Sequence, residues 1–147
     1  MNEDPLRMMT LKTQGFYCSQ ILLQLGLEAQ GKENPDLIRA VAGLAGGLGF
    51  VGDVCGTLTG GACLLGLYAG KGIAAEEEDD RLNLMIRELV DWFKEEFEGL
   101  YGGITCAVIL GDDLGHAFGQ LTVTISGAVQ QQALRFADAL QHSSRQL

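Results

Sequence analysis

Residues 54–70 read VCGTLTGGACLLGLYAG, with no Asp, Glu, Lys, Arg or His among them. How this segment is housed decides the fold. Its 17 residues are the short limit for crossing about 30 Å of hydrocarbon. Gly56/Gly60 and Gly66/Gly70 are GxxxG pairs of the kind that bring membrane helices together. Against a membrane span, Asp53 stands inside the otherwise uncharged run from Val41 to Gly70, and no basic residue flanks its start. The rest of the chain is amphipathic and acidic. We therefore expect a helix capped by Asp53 and buried on all sides, its glycines letting neighbouring backbones approach closely.

Outward from that helix the periodicity predicts an all-α fold. A first helix is expected from Asp4–Pro5 to about Leu27, Pro5 suiting the first helical position. Cys18, Ile21, Leu22 and Leu25 fall at i, i+3, i+4 and i+7, so Cys18 lies on a buried stripe. A shorter helix follows Asn34-Pro35, turns Leu37, Ile38, Val41 and Ala42 inward, and dissolves into the glycines of 43–52. The most amphipathic stretch, about Asp79 to Glu98, aligns Leu82, Met85, Ile86, Leu89, Val90, Phe93 and Phe97, with Gly99 as its stop. The acidic run Glu76 to Asp80 is read as the solvated start of that helix, complementing the positive end of its dipole. A short helical piece, Thr105 to Leu110, precedes a last helix from about Ser126 to Leu140. Between them LTVTI has strand chemistry but is too short for a sheet of its own. The expected architecture is a compact bundle of about five helices around the glycine-rich one, forming a single domain over residues 1–147, without internal repeats.

Composition bounds the function. Ten Lys plus Arg against nineteen Asp plus Glu give a net charge of −9, which argues against a nucleic-acid-binding surface. Apolar residues make up 47%, enough for a core and too many for disorder. Glycine, at 21 of 147 residues, is about twice its usual share. The segment GGLGFVG (46–52) is no phosphate loop, because a helix rather than a strand precedes it and no Gly-Lys-Ser/Thr follows. The N-terminus, MNEDPLRMMTLKTQ, lacks the basic start and apolar run of a secretory signal and reads as cytoplasmic. In a reducing compartment cysteines serve as exchangeable thiols or metal ligands more often than as staples.

Cys55 is expected at the second position of the helix capped by Asp53. Unpaired backbone N–H groups and the dipole there favour the thiolate, opposed to some degree by the charge of Asp53. Cys106, following Thr105 at the start of the short helix, invites the same argument. Cys63 lies eight residues beyond Cys55, about 80° round the helix and about 12 Å along it, and is read as a small buried hydrophobe. There is no CxxC or CxxCH. The two histidines are too far apart for metal-ligand spacing. His142 is read as a surface residue of a polar tail, and His116, after a Gly-Asp-Asp-Leu-Gly turn, as a weak ligand or proton shuttle.

FYCSQILLQLGL (16–27), GGLGFVGDVCGTLTGGACLLGLYAG (46–70) and GGITCAVILGDD (102–113) together resemble the redox-active family named for its C_GCAxxG_C_C cysteine pattern. The resemblance runs from about Tyr17 to Asp113 and is most specific around Cys55. It implies that Cys18 takes the first cysteine position, Cys55 the central one and Cys106 the third, with Gly56 and Gly60 as the accompanying glycines. Val54-Cys55-Gly56 replaces Gly-Cys-Ala, and the final helix has no cysteine where the family places its last. The nearest candidates there, around Ser126, are not thiolate ligands. The family implies a small helical protein with redox-linked cysteines and, in some relatives, an iron–sulfur cluster, for which a fourth ligand is missing here.

Three readings follow. In the first, Cys18, Cys55 and Cys106 converge as exchangeable thiols, Cys55 attacking and Cys18 or Cys106 resolving. In the second, the same three cysteines hold an iron–sulfur cluster or another metal, completed by Cys63, His116, an oxygen ligand or a second subunit. In the third, the glycine-packed helices form an interaction or dimerisation module. The partners expected are a redox partner protein and a second copy of the chain, with neither nucleic acid nor membrane. No acid–base pair with interpretable spacing names a reaction.

Overall fold

Caps and left-handed residues divide the chain into its helices. The computed structural model describes residues 4–111 and 120–145. Among these it contains seven α-helices: α1 (Asp4–Thr13), α2 (Cys18–Ala29), α3 (Pro35–Val41), α4 (Gly56–Ala69), α5 (Leu82–Tyr101), α6 (Cys106–Leu110) and α7 (Gln120–Arg145). A single 3-10 turn, Ala42–Leu44, follows α3. The fold is all-α as expected, with more helices than the five anticipated. No helix among the described residues is long and apolar enough to cross a membrane.

The expected first helix is two helices. Gly15 takes a left-handed φ of +94°, and the extended Tyr17 starts α2 with its backbone N–H donating to Gln20 Oε1 at 3.0 Å. The break lets α1 fold back, burying Met8 and Leu11 against Ile21 and Leu25. α3 begins as expected, Asn34 Oδ1 accepting from the Leu37 N–H at 3.1 Å; Ile38 and Val41 are buried, while Leu37 and Ala42 are only partly so.

α5 is displaced by about a turn from the expected span. Asp79 accepts the Arg81 N–H at 2.9 Å in a turn before the helix. Glu76 accepts from the N–H groups of Gly72 and Ile73. The acidic run thus precedes α5 and is not its first turn. Gly99 stays helical, and Gly102, at φ +88°, ends the helix. α7 starts six residues before Ser126 and absorbs the LTVTI segment. Its β-branched residues yield because Ile125, Ser126, Val129, Gln130 and Ala133 are all buried; tertiary burial outweighs a local preference of a few tenths of a kcal/mol per residue, of order ~0.5.

α4 is the buried axis. A Cβ on Gly60 would lie 3.0 Å from the Ser19 Cα and 3.1 Å from Leu22 Cδ1 of α2. One on Gly61 would lie 2.6 Å from Val129 Cγ1 of α7 and 3.1 Å from Leu89 Cδ2 of α5. In return, Gly26 of α2 leaves room for Leu64. Gly56, Gly60 and Gly61 are therefore occupied by helices of the same chain. Gly66 differs, with no neighbour within 4 Å of a Cβ placed there. Gly66→Ala is accordingly expected to stabilise the protein by about 0.5–1 kcal/mol, the helix-propensity difference alone; chemical denaturation measures it.

Candidate functional site: a cysteine cluster at the N-terminus of α4

The glycine-rich run before α4 forms a left-handed turn. Gly46, Gly47, Leu48, Gly49 and Phe50 have φ between +60° and +75°, and Gly52 has +87°. For Leu48 and Phe50 this conformation costs about 1–2 kcal/mol each. Gly47 has no alternative, because a Cβ there would enter the backbone of Asp53. The turn is held by its own amides, Phe50 N–H to Ala45 O and Asp53 N–H to Gly47 O among them, and by the Phe50 ring edge-on to Tyr17 at 5.2 Å.

What leaves this turn pairs with the segment before α6. Val54 and Thr105 form an isolated antiparallel bridge. Cys55 N–H donates to Ile104 O at 2.9 Å, and Cys106 N–H donates to Asp53 O at 2.7 Å. Cys55 and Cys106 are thus diagonal neighbours on one face of a two-strand contact. Cys18, at the start of α2, completes the group: a Cβ on Gly56 would lie 3.0 Å from its Sγ and 2.8 Å from Leu44 O. Only a glycine lets this sulfur approach the first turn of α4.

Asp53 is not the cap of α4. Its carboxylate accepts from the adjacent Val54 N–H at 2.8 Å, and Cys55 itself is the N-cap residue. The expected benefit is kept by a different route. The adjoining Cys106 thiol, with the N–H groups and the Thr57 hydroxyl at the start of α4, favours the Cys55 thiolate enough to outweigh burial, and its pKa is pulled down to about 6. The Leu58 N–H also closes the first turn on the Cys55 carbonyl oxygen at 2.9 Å.

Cys106 corrects the expectation drawn from its place at the start of a helix. Thr105 caps α6 through its hydroxyl. Yet the Cys106 thiol is pushed strongly up, because its proton is held by the Cys55 sulfur and because the site is buried. Two adjacent thiols share one donor role. Cys18 is raised to about 11 by burial and by the neighbouring Cys55 charge, despite the Thr57 hydroxyl and the N–H groups of Ser19 and Gly46. Cys18, Cys55 and Cys106 are 6%, 5% and 2% exposed and are all free thiols. With Thr57, Gly46, Ile109, Leu110 and Ile125 they surround a cavity of about 20 Å³.

The sequence profile of the family described as "Putative redox-active protein (C_GCAxxG_C_C)" matches residues 16–138. The chain belongs to this family. No curated protein and no solved structure was found to match it.

In this family member Cys63 stays apart, half-buried on α4 beside the core, its pKa raised by burial alone. His116 lies outside the described residues. His142 falls within α7 rather than in a tail, and its side chain is outside the described residues. Thr57 was not singled out by sequence reasoning, although a hydroxyl two residues after a helix-capping cysteine is a readable signal. Ser126 also belongs here: it is buried, with its hydroxyl 3.5 Å from that of Thr57. Gly46, whose N–H reaches Cys18, had no signal beyond its glycine neighbours.

An iron–sulfur cluster does not fit these residues as they are arranged. Among the described residues no three or more His, Cys, Asp and Glu side chains are grouped to hold a metal ion. The cavity that the three cysteines help to line is about the size of one water molecule.

Proposed function

We propose that this protein is a dithiol–disulfide redox protein in which Cys55 is the thiolate and Cys106 its partner. The single observation that carries the proposal is the antiparallel pairing of Val54 with Thr105, which sets the buried Cys55 and Cys106 as diagonal neighbours on one face of the contact. On oxidation the Cys55 thiolate and the Cys106 thiol form a disulfide, releasing the Cys106 proton and two electrons to an acceptor; reduction reverses this. Cys18 stays protonated beside Cys55 and is the second resolving thiol. Thr57 lines the same cavity as Cys18 and Cys55 and is a positioning residue.

Diamide treatment of the reduced protein, followed by non-reducing digestion and mass spectrometry, tests the pairing. Two of the four cysteines should be lost, in a peptide linking Cys55 to Cys106. A product joining Cys63 to any partner, or retention of all four thiols, would refute it.

The pH profile of alkylation adds a second check. The thiolate fraction of Cys55 grows as pH rises through about 6, against about 8.5 for an ordinary thiol. Near pH 6 that is about 150-fold more thiolate, but lowered basicity removes about 10-fold of the reactivity, leaving a net gain of about 10-fold. Near pH 7 the same arithmetic leaves only about 2-fold. Burial slows every rate, so the midpoint is the sounder readout. Iodoacetamide labelling of Cys55, followed by peptide mass spectrometry, should reach half its plateau rate near pH 6, with Cys63 unlabelled there.

A further inference from the structure

One disulfide among three neighbouring thiols always leaves a thiol beside it. Cys55 is the neighbour that the other two share. The pairing of Val54 with Thr105 sets Cys106 diagonally beside it. Gly56, the next residue, admits the Cys18 sulfur, which lies 3.0 Å from where a Cβ would stand. All three cysteines line one cavity, whereas Cys63 lies about two turns along α4. Once Cys55 and Cys106 are joined, Cys18 is therefore the reduced thiol adjacent to the disulfide.

Oxidation also changes Cys18 itself. Burial, and after it the charge on Cys55, raise its pKa to about 11. A sulfur bonded in a disulfide carries no charge, so the second cause disappears and Cys18 ionises more readily. The thiolate is the form that attacks a disulfide. Cys18 is thus most restrained while Cys55 is reduced and becomes a better nucleophile when Cys55 is oxidised.

Resting on the Cys55–Cys106 couple proposed above, we propose that Cys18 is a third catalytic thiol, which takes over the disulfide within one chain by converting Cys55–Cys106 into Cys18–Cys55. The Cys18 thiolate attacks the Cys55 sulfur, and the new S–S bond forms as the bond to Cys106 breaks. Cys106 leaves as a thiolate and takes up one proton, equal to the one that Cys18 gave up. No electrons are gained or lost, so the step needs neither oxidant nor reductant. Cys55 belongs to both disulfides and is the pivot. The oxidised position moves from α6, a five-residue helix whose Ala107 and Val108 face solvent, to the first residue of α2, which packs against α4 at Gly60.

The test follows one disulfide through time in the full-length protein. A brief diamide pulse at about pH 5, where Cys18 stays protonated, should give the Cys55–Cys106 link first. Diamide is then removed at the same pH, and portions are shifted to higher pH. Samples are quenched with acid, alkylated and digested without reduction, and fragmentation mass spectrometry places each link. The Cys18–Cys55 link should grow at the expense of Cys55–Cys106, with the total held at one disulfide per chain. Its rate should be independent of protein concentration and rise about 10-fold per pH unit between about pH 6 and 8, following the Cys18 thiolate. A Cys55–Cys106 link that persists unchanged at about pH 8 would overturn the transfer and leave the couple standing. A conversion whose rate scales with protein concentration would overturn it too, since the exchange would then run between molecules. If the pulse makes no Cys55–Cys106 link, both proposals fall.

Discussion

Cys106→Ala is expected to move the alkylation midpoint of Cys55 from about 6 up toward the ordinary thiol value of about 8.5. The S–H of Cys106 is the largest cause of the low Cys55 value, and alanine keeps the volume small while removing the donor. The sign follows from which form the donor stabilises. A hydrogen bond to the thiolate favours ionisation, so its loss disfavours ionisation and raises the pKa. Near pH 6 the thiolate fraction should fall by about 100-fold, and the labelling rate by about 10-fold once the higher basicity of the remaining thiolate is counted. In the same variant Cys18 is the neighbouring thiol that remains, so diamide oxidation should link Cys18 to Cys55 in place of Cys55 to Cys106. A midpoint unchanged by this substitution would show that the backbone amides of Thr57 and Leu58 suffice without the second cysteine.

Gly60→Val should have the largest effect on stability. The first added carbon would already sit 3.0 Å from the Ser19 Cα and 3.4 Å from its carbonyl oxygen, and backbone cannot rotate out of the way as a side-chain tip can. Ser19 is further anchored by its hydroxyl, which donates to Val41 O at 2.8 Å. Helix propensity favours a substituent over glycine by only about 0.5 kcal/mol for a β-branched residue. Overpacking costs typically about 1–3 kcal/mol, more where backbone must shift. The clash wins, with a net loss of about 3 kcal/mol and a melting temperature lower by about 10 °C. Because Cys18 adjoins Ser19, forcing α2 outward also withdraws Cys18 from the cluster. Thermal unfolding measures the first effect, and thiol pairing after oxidation the second. A Gly60→Val protein that melts like the parent would mean that α2 and α4 do not cross as closely as described.

The stripe Cys18–Ile21–Leu22–Leu25, the cap at Asn34-Pro35 and the apolar face of α5 were legible because each is a local pattern repeated over several turns. Boundaries were less so. The break at Gly15, the late start of α5 and the helical state of LTVTI all depend on hydrogen bonds or burial supplied from elsewhere in the chain. The cysteine positions could be named from spacing and family resemblance. Their division of roles could not.

The chain alone determined that the uncharged run holds a helix with small faces, now seen over Gly56–Ala69, that the fold is helical, and that cysteines cluster near helix starts. Those properties reside in composition and in a period of 3.6 residues, which need no partner to be read. Tertiary structure decided that Cys55, and not Asp53, is the N-cap residue of α4, and that Cys106 lies diagonally opposite it across a two-strand contact. It also decided that a left-handed turn and a bare Gly56 bring Cys18 alongside. The meeting of two sulfurs depends on ångström-scale placement of segments some fifty residues apart, and no local pattern encodes that distance.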